Sequence, residues 1–403
     1  MPGRRGLGGV ARAAVRKWLS GLSEYHALKY GSAASEGVTL RDIVRMAHPQ
    51  PADAAHAERF GWLTGSVVRD LLEHNFQIRA FESLKHATTE DEQVHLIREG
   101  RLPFEVVAPT LKATPAIWEE LFHQAPYMNL LRNLVTFTRH GVFQKEEHVR
   151  SAVERLTRPE AVEHSKVLPF RFFSAWQKYT STDGADSRIA DALREALERS
   201  FVNVPSLGNR TIAFGTDVSG SMGGTFDPHG STRYIDIAGI FTGALLRRAE
   251  GLVFPLPFNH AVVSCDLSSR DDILVTTSKI SKLMTGGTAL GAPIEHLLDR
   301  KIPVDVLIGI TDNVEWAYGQ DFACSASFLD LWRRYRKEVA PTARAYLVTI
   351  APYRDAVAPS GETGVRFIYG WSDSVPSYIA LDLEGGESQI QEIERMALAS
   401  VEH

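Results

Sequence analysis

The sequence contains few of the features that mark secreted, membrane-bound or disulfide-stabilised proteins. Its 403 residues include only two cysteines, Cys265 and Cys324, which are too few for a disulfide framework and favour a reducing cytoplasm. No apolar run approaches the ~20 residues of a transmembrane helix, and the basic N-terminus lacks the apolar region of a signal peptide. We therefore expect a cytoplasmic protein that does not contact membranes.

The motifs of several common enzyme classes are also missing. We find no GxxxxGK loop for nucleotide phosphates, no dinucleotide fingerprint and no HExxH zinc motif. Ser219 lies in a Ser/Gly-rich segment with no plausible base nearby in the sequence, so it is a poor candidate for an activated nucleophile. We therefore predict that the protein is not an enzyme.

The residues that are present describe an ordinary globular protein with an uneven charge. Hydrophobic residues make up 44% and charged residues 23% of the chain, and its length suggests about two or three domains. Residues 1–210 carry 28 basic and 25 acidic side chains, whereas residues 211–403 carry 16 and 24. A partner with phosphates would prefer the first part, although the excess is too small to predict nucleic-acid binding by itself.

The first part, residues 1–203, is predicted to be a helical domain. Apolar residues recur at helical spacing through most of it, and Thr39 with Asp42 resembles a capping box. Many helices joined by short turns suggest stacked pairs, as in an α-solenoid, although no clean repeat period is present. The predicted helices cover residues 10–22, 40–46, 59–73, 77–86, 90–99, 103–110, 117–122, 127–139, 145–156, 169–179 and 186–201.

The second part, residues 204–403, is predicted to be an α/β domain. Short apolar runs alternate with helical ones, which is typical of a doubly wound, mainly parallel sheet covered on both faces. The predicted strands are residues 211–215, 252–258, 261–265, 304–311, 344–350 and 365–369. The predicted helices are residues 234–249, 271–283, 292–298, 328–339, 375–383 and 388–399.

Oxygen-bearing side chains follow two of the predicted central strands. Asp217, Ser219 and Ser221 come at every second position after the first strand, so they project the same way in an extended turn. Asp312 follows the strand 304–311, and Thr288 follows a Gly-Gly pair. Two carboxylates and three hydroxyls suit a hard cation such as Mg²⁺, with Mn²⁺ or Ca²⁺ as alternatives. The alternative for the first three residues is an ordinary Ser/Gly turn.

These motifs resemble a known metal-binding site. Asp217-Val218-Ser219-Gly220-Ser221-Met222, Gly286-Gly287-Thr288 and Thr311-Asp312-Asn313 look like the metal-ion-dependent adhesion site of a von Willebrand factor A domain. The resemblance implies that the five oxygen donors named above are the metal ligands.

Further segments resemble the TROVE domain family, which includes the Ro autoantigen. They are similar to the family in their order along the chain: Arg16-Lys17-Trp18, Arg45-Met46-Ala47-His48, Leu130-Leu131-Arg132-Asn133-Leu134, Pro169-Phe170 with Tyr179-Thr180, and Tyr335-Arg336-Lys337. In that family a ring of helical repeats, closed by the A domain, binds small structured Y RNAs on its outer surface. Single-stranded ends of misfolded RNAs enter the ring cavity.

The resemblance implies that Lys29, Arg45 and His48 contact RNA phosphates. Arg41 joins them by geometry, because residues 41 and 45 share one face of a helix. The alternative for each is a solvated surface charge or, for His48, a capped helix end. The family also has an arginine shortly after the Lys-Tyr pair, where this chain has Gly31-Ser32-Ala33-Ala34.

The sequence supports two classes of function. The first is a non-enzymatic RNA-binding protein that binds small structured RNA and single-stranded RNA ends in RNA quality control or processing. The second is a protein-binding adaptor whose A domain grips an acidic group of a partner through Mg²⁺. Because the family's leading helices are absent, we expect a shortened helical domain that forms an open crescent, dimerises or pairs with another chain.

Overall fold

Ten helices begin the described part of the chain, and strong local signals define several of them. The computed structural model describes residues 8–31, 37–225, 232–312, 315–351, 361–370, 372 and 374–385. The first helices are α1 (Gly9–Ser20), α2 (Glu24–Gly31), α3 (Leu40–Ala47), α4 (Ala54–Thr64), α5 (Phe76–Leu84), α6 (Glu90–Gly100), α7 (Phe104–Thr110), α8 (Pro115–Gln124), α9 (Tyr127–Arg139) and α10 (Glu146–Thr157). The predicted capping box is confirmed, because Thr39 and Asp42 bond each other's backbone N–H groups at the start of α3.

The prediction of one helix over residues 59–73 is wrong. The Asp53 carboxylate accepts a hydrogen bond from the His56 N–H at 2.7 Å and so starts α4 earlier. Gly65, with φ of 82°, ends the same helix in the left-handed conformation. Residues 69–71 form only a short 3-10 turn. The sequence prediction missed both caps.

The rest of the chain adds three helices and then a parallel sheet with the helices that cover it. Its elements are α11 (Pro159–Ser165), α12 (Pro169–Thr180), α13 (Ser187–Arg199), β1 (Ile212–Asp217), α14 (Tyr234–Arg248), β2 (Val253–Phe258), α15 (Ile273–Ser281), α16 (Ala292–Asp299), β3 (Val306–Thr311), α17 (Phe328–Glu338), β4 (Arg344–Thr349), β5 (Val365–Tyr369) and α18 (Val375–Glu384). The strands lie in the order β2-β1-β3-β4-β5, and every neighbouring pair is parallel. The predicted fold class is confirmed.

Alternate residues of β1 face opposite sides of the sheet, and helices cover both sides. Thr216 bonds Thr242 of α14 at 2.7 Å, whereas a Cβ on Gly215 would lie 3.2 Å from Pro293 of α16. β1 and β3 are buried along their whole length. Both strands are mainly apolar until their last residues, as expected for the centre of a parallel sheet.

One predicted strand, residues 261–265, does not form. The chain turns back after β2, where the Asn259 side chain accepts a hydrogen bond from Ala261 N–H, and only a single antiparallel bridge joins Phe258 to Val262. The predicted helix 388–399 lies outside the described residues.

By compactness, the chain divides between Ala152 and Val153, within α10. Helices α11 to α13 therefore group with the sheet, and we call residues 8–152 the helical unit. The domain boundary between residues 203 and 204 stays a prediction. None of the described helices has both the length and the apolar character needed to cross a bilayer.

Candidate metal centre and nucleic-acid interface

The two central strands bring the predicted acidic residues to one edge of the sheet. β1 ends at Asp217, and the neighbouring parallel strand β3 ends at Thr311, directly before Asp312. Asp217 is completely inaccessible to solvent and Asp312 is 6% exposed. In sheets with this strand order, ligands bind between β1 and β3, where the order of the strands reverses. The buried carboxylates therefore lie at the edge where a ligand is expected.

The turn after β1 brings the two predicted serine hydroxyls together. The Ser219 N–H donates to Asp217 Oδ1 at 2.8 Å, which folds the chain back over the strand end. The Oγ atoms of Ser219 and Ser221 then lie 3.1 Å apart. Ser219 is buried and Ser221 is exposed, so this hydroxyl pair leads from the buried carboxylate to solvent.

Backbone hydrogen bonds hold the segment with Thr288 against this turn. Thr285 N–H donates to Val218 O at 2.8 Å, and Gly220 N–H donates to Gly286 O at 3.1 Å. Gly286 has φ of 74°, in the left-handed region that glycine favours. The buried Thr288 follows two residues later. The third predicted hydroxyl thus belongs to a loop that is fixed to the first two.

The two buried carboxylates differ in how completely the described residues pair them. Asp217 Oδ2 accepts a hydrogen bond from Thr311 Oγ1 at 2.7 Å, but Asp312 Oδ1 is buried with no hydrogen-bond partner among the described residues. Burial raises the pKa of Asp217 to about 7, and the charge of Asp312 adds to this rise. A divalent cation would compensate both charges. The donors are all oxygens, as Mg²⁺, Mn²⁺ and Ca²⁺ require, so the residues fit such an ion.

The described residues do not offer a different kind of metal centre. Within them, no three His, Cys, Asp or Glu side chains cluster in a way that could hold a metal ion. Asn313, the last residue of the third motif, lies outside the described residues. The hydroxyl-rich site at the sheet edge is therefore the candidate that the geometry offers.

The four residues predicted to bind RNA lie in the helical unit on α2, on α3 and at the end of α3. Lys29 is in the last turn of α2, and its side chain is 33% exposed. Arg41, Arg45 and His48 are exposed, and His48 ends α3 in the left-handed conformation with φ of 47°. The two helices pack against each other, so these residues come from neighbouring elements.

Arg41 and Arg45 share a helix face, as predicted, but both also serve the fold. Arg41 Nε donates to Leu63 O at 2.9 Å, and Arg45 Nη2 donates to Thr64 O at 3.1 Å. These carbonyls belong to the last turn of α4, where cations are favourable. Each guanidinium has five donors, so one such bond still leaves donors for phosphate.

Lys29 lies between aromatic rings and a carboxylate. Its Nζ is 3.7 Å from Glu105 Oε1, 3.5 Å from the Tyr25 hydroxyl and 5.8 Å from the centroid of the Tyr30 ring. Burial alone would lower its pKa, but the interactions with Tyr25 and Glu105 outweigh this effect and raise it. Lys29 therefore carries a stable positive charge.

Two family models match the chain in succession. A TROVE domain model matches residues 104–205, and a Ro60 vWA domain model matches residues 211–381. The chain thus resembles the TROVE family. The four residues predicted to bind RNA precede the matched TROVE segment, whereas all five predicted metal ligands lie within the matched vWA domain.

Two proteins are similar to the chain in sequence, and a solved structure has the same fold. The RNA-binding protein RO60 of Deinococcus radiodurans is 28% identical over 310 residues, which cover 72% of this chain and 56% of the relative. The protein of the same name from Caenorhabditis elegans is 25% identical over 312 residues, which cover 75% and 47%. The chain thus spans about half the length of these relatives. The crystal structure of the Deinococcus radiodurans RO (RSR) protein superposes with a TM-score of 0.78 at 22% identity, covering 94% of this chain and 78% of that one.

Sequence reasoning missed two residues beside the candidate metal centre. Thr311 holds Asp217 in place through its hydroxyl, and Trp316 reaches the same loop, because its N–H donates to Thr288 O at 3.1 Å. Trp316 is 57% exposed, and the centroids of its ring and the Phe322 ring lie 5.9 Å apart in an edge-to-face arrangement. An aromatic residue four positions after Asp312 was the available signal.

Proposed function

We propose that this protein binds small structured RNA and single-stranded RNA ends as a non-enzymatic scaffold in RNA quality control or processing. The observation that carries the proposal is the order of the two matched domains, TROVE and then Ro60 vWA, together with relatives that are named as RNA-binding proteins. Exposed cations on α2 and α3 support it, because lysine and arginine neutralise phosphates.

We also propose that the five oxygen donors bind a divalent cation, with Mg²⁺ as the first candidate. The unpaired, buried Asp312 Oδ1 supports this assignment, since a buried carboxylate oxygen without a partner is costly. Because only two of the donors are carboxylates, the bound ion would keep enough positive charge to attract an anionic group. The two free cysteines are compatible with a cytoplasmic location.

A protein partner at the metal centre is the second candidate function. The exposed rings of Trp316 and Phe322 stand beside the loop that carries Thr288, and exposed aromatic residues are enriched where proteins bind one another. Such a partner would place an acidic group on the cation, and a second copy of the chain could be that partner.

Titrations of the full chain with labelled RNA test the RNA-binding proposal against the protein-partner proposal. We expect binding to a small folded RNA that weakens linearly on a log–log plot as salt rises, and that persists in EDTA because the cations on α2 and α3 need no metal. An unrelated protein of similar isoelectric point is the control. Binding no stronger than that of the control would refute the RNA proposal, and cation-dependent capture of a protein without RNA would favour the adaptor.

A further inference from the structure

A pocket of about 430 Å³ opens in the helical unit, and none of the residues predicted to bind RNA lines it. Its apolar wall includes Tyr25, Phe104 and Leu121, and its polar wall includes Arg98, Arg101 and Gln124. Tyr25 is also the residue whose hydroxyl contacts Lys29. The pocket therefore adjoins Lys29, one of the four residues predicted to bind RNA.

The helix beside the pocket, α2, places aromatic rings around one cation. The rings of His26 and Tyr30 are nearly parallel, with an angle of 11° and centroids 6.0 Å apart. Lys29 Nζ lies within 6 Å of two rings, 5.5 Å from the Tyr25 centroid and 5.8 Å from that of Tyr30. Tyr30 is 48% exposed. This surface offers flat rings next to a positive charge, the combination on which single-stranded nucleic acids stack.

The polar wall is held in place from within. Arg98 donates to Glu120 Oε2 through Nε at 2.9 Å and Nη2 at 2.7 Å, and the amide of Gln124 donates to Glu120 Oε1 at 2.7 Å. Glu120 is 5% exposed, whereas the Arg98 side chain is 63% exposed. The buried carboxylate therefore orients the exposed Arg98 guanidinium at this rim of the pocket.

Arg101 supplies a second cation at the pocket. It follows α6 in the left-handed conformation with φ of 46°, and its guanidinium forms no hydrogen bond or ion pair within the described part of the chain. Arg101 is therefore the cation at the pocket that is best placed to meet an incoming phosphate, and Lys29 lies close by, next to Tyr25.

We propose that this pocket accepts an unpaired base of single-stranded RNA. The base contacts Tyr25 and Phe104, its phosphate meets Lys29 or Arg101, and a neighbouring base stacks on Tyr30. A pocket of this volume admits one base and excludes a duplex, and proteins commonly recognise single-stranded RNA by stacking splayed bases on aromatic rings. The inference rests on the proposed RNA binding and assigns the single-stranded ends a place in the helical unit.

The test uses the full chain with a short unstructured RNA, its counterpart with abasic residues, and a version that carries 2-aminopurine. We expect the intact strand to bind better than the abasic one and the 2-aminopurine fluorescence to be quenched on binding. Tyr25→Ala should weaken binding of the intact strand at least about fivefold, the low end for one stacked base, and abolish the quenching. Arg101→Asn should reduce the slope of the salt dependence by about one.

Two variants control for folding and for surface aromatic residues. Tyr25→Phe keeps the ring and should retain the quenching even if Tyr25→Ala folds poorly. Trp18→Ala removes a tryptophan that is 51% exposed on α1 and should bind both strands as the unmodified chain does.

Three results would overturn the inference. They are equal affinity for intact and abasic strands, binding without quenching, and binding of free nucleoside monophosphates as tight as that of the strand. If a folded RNA still binds with a salt-dependent affinity, these results refute only the base pocket. If no RNA binds, the proposed function fails with it.

Discussion

Buried charges in the two parts of the molecule differ in how completely they are paired. In the helical unit, Arg59 is 8% exposed, and its guanidinium donates to the carbonyl of Leu22 and, at 3.0 Å, to Asn75 Oδ1. Burial lowers its pKa, while nearby carboxylates oppose the shift. At the sheet edge, Asp312 keeps a buried oxygen without any partner within the described residues.

This difference separates a structural charge from a binding site. A buried charge that the chain itself pairs holds elements together, because losing one partner leaves the other uncompensated. A buried charge that the chain leaves unpaired is costly until a ligand arrives. Arg59 joins the segment after α1 to α4 and α5, whereas Asp312 has a buried carboxylate oxygen that no described residue pairs. The predictions below test this distinction.

The largest effect is expected for Arg59→Met, which removes the donors and keeps the apolar stem. We expect the helical unit to lose about 3–5 kcal/mol, because Leu22 O and Asn75 Oδ1 lose a buried charged donor. Hydrogen exchange followed by mass spectrometry over α4 and α5 measures this locally. Arg79→Met, an exposed arginine on α5, should change protection little. Equal effects of the two variants would mean that Arg59 is not a structural charge.

Asp217→Asn, in contrast to Arg59→Met, should not destabilise the chain. Without a divalent ion the variant should be as stable as the unmodified chain or more stable, because it removes a buried charge. The stabilisation by Mg²⁺, about 2.7 kcal/mol at a hundredfold excess over Kd, should disappear. Melting curves with Mg²⁺ and with EDTA measure both effects.

The matched control for that experiment lies at the opposite edge of the sheet, directly before β3. Asp305 accepts a hydrogen bond from Thr211 N–H at 2.8 Å beside the start of β1. Asp305→Asn should therefore keep the full Mg²⁺ response. A response that survives in Asp217→Asn or is lost in Asp305→Asn would contradict the assignment of the metal centre.

The sheet-edge site could be predicted from sequence because its residues follow buried strands. Runs such as β3 are recognisable by composition, and the parallel arrangement places their carboxyl ends together, so Asp217 and Asp312 had to meet. The unpaired oxygen of Asp312 could not be predicted, because it depends on which neighbours fail to reach it.

The helical unit was less predictable because its decisive contacts join distant residues. Arg59 bonds Leu22 and Asn75, and no local pattern indicates either partner. Helix α2 was not predicted, although Tyr25, Lys29 and Tyr30 recur at helical spacing. Part of its role is long-range, since Glu24 Oε2 accepts a hydrogen bond from Gln77 N–H at 2.7 Å, at the start of α5.

A smaller effect is expected for Lys29→Ala combined with His48→Ala. These residues are exposed or partly exposed, so the fold and the Mg²⁺ response should be unchanged, while RNA affinity falls by about 1 kcal/mol and the salt slope by about one. Anisotropy titrations at several salt concentrations measure both. Lys112→Ala, an exposed lysine between α7 and α8, is the control, and unchanged RNA affinity in the double variant would exclude this surface.

The smallest effect concerns a charge pair at the surface of the helical unit. His74 Nδ1 lies 2.6 Å from Glu58 Oε1, and this hydrogen bond raises the pKa of His74 above its usual 6.5. Burial opposes the shift of Glu58, but hydrogen bonds from His74 and Asn75 outweigh it and lower the Glu58 pKa below 4.5.

The direction of the pH dependence follows from these shifts. A raised histidine pKa adds stability that is complete below about pH 6.5 and is lost as the pH rises through the folded-state value. Glu58 also accepts hydrogen bonds from the His74 backbone N–H and from Asn75. The loss of stability at low pH that follows from the lowered Glu58 pKa should therefore remain in His74→Gln. The unmodified chain should therefore melt at a higher temperature than His74→Gln near pH 6, and the two melting temperatures should converge near pH 8, both measured in EDTA. The difference should stay small because solvent screens the pair. A melting-temperature difference that grows toward pH 8 would contradict the raised pKa of His74. An equally large difference for the exposed His86→Gln would show that the contact between His74 and Glu58 is not its cause. Either result would mean that this pair does not follow the rule that a solvated charge contributes little, whereas a buried charge decides structure or binding.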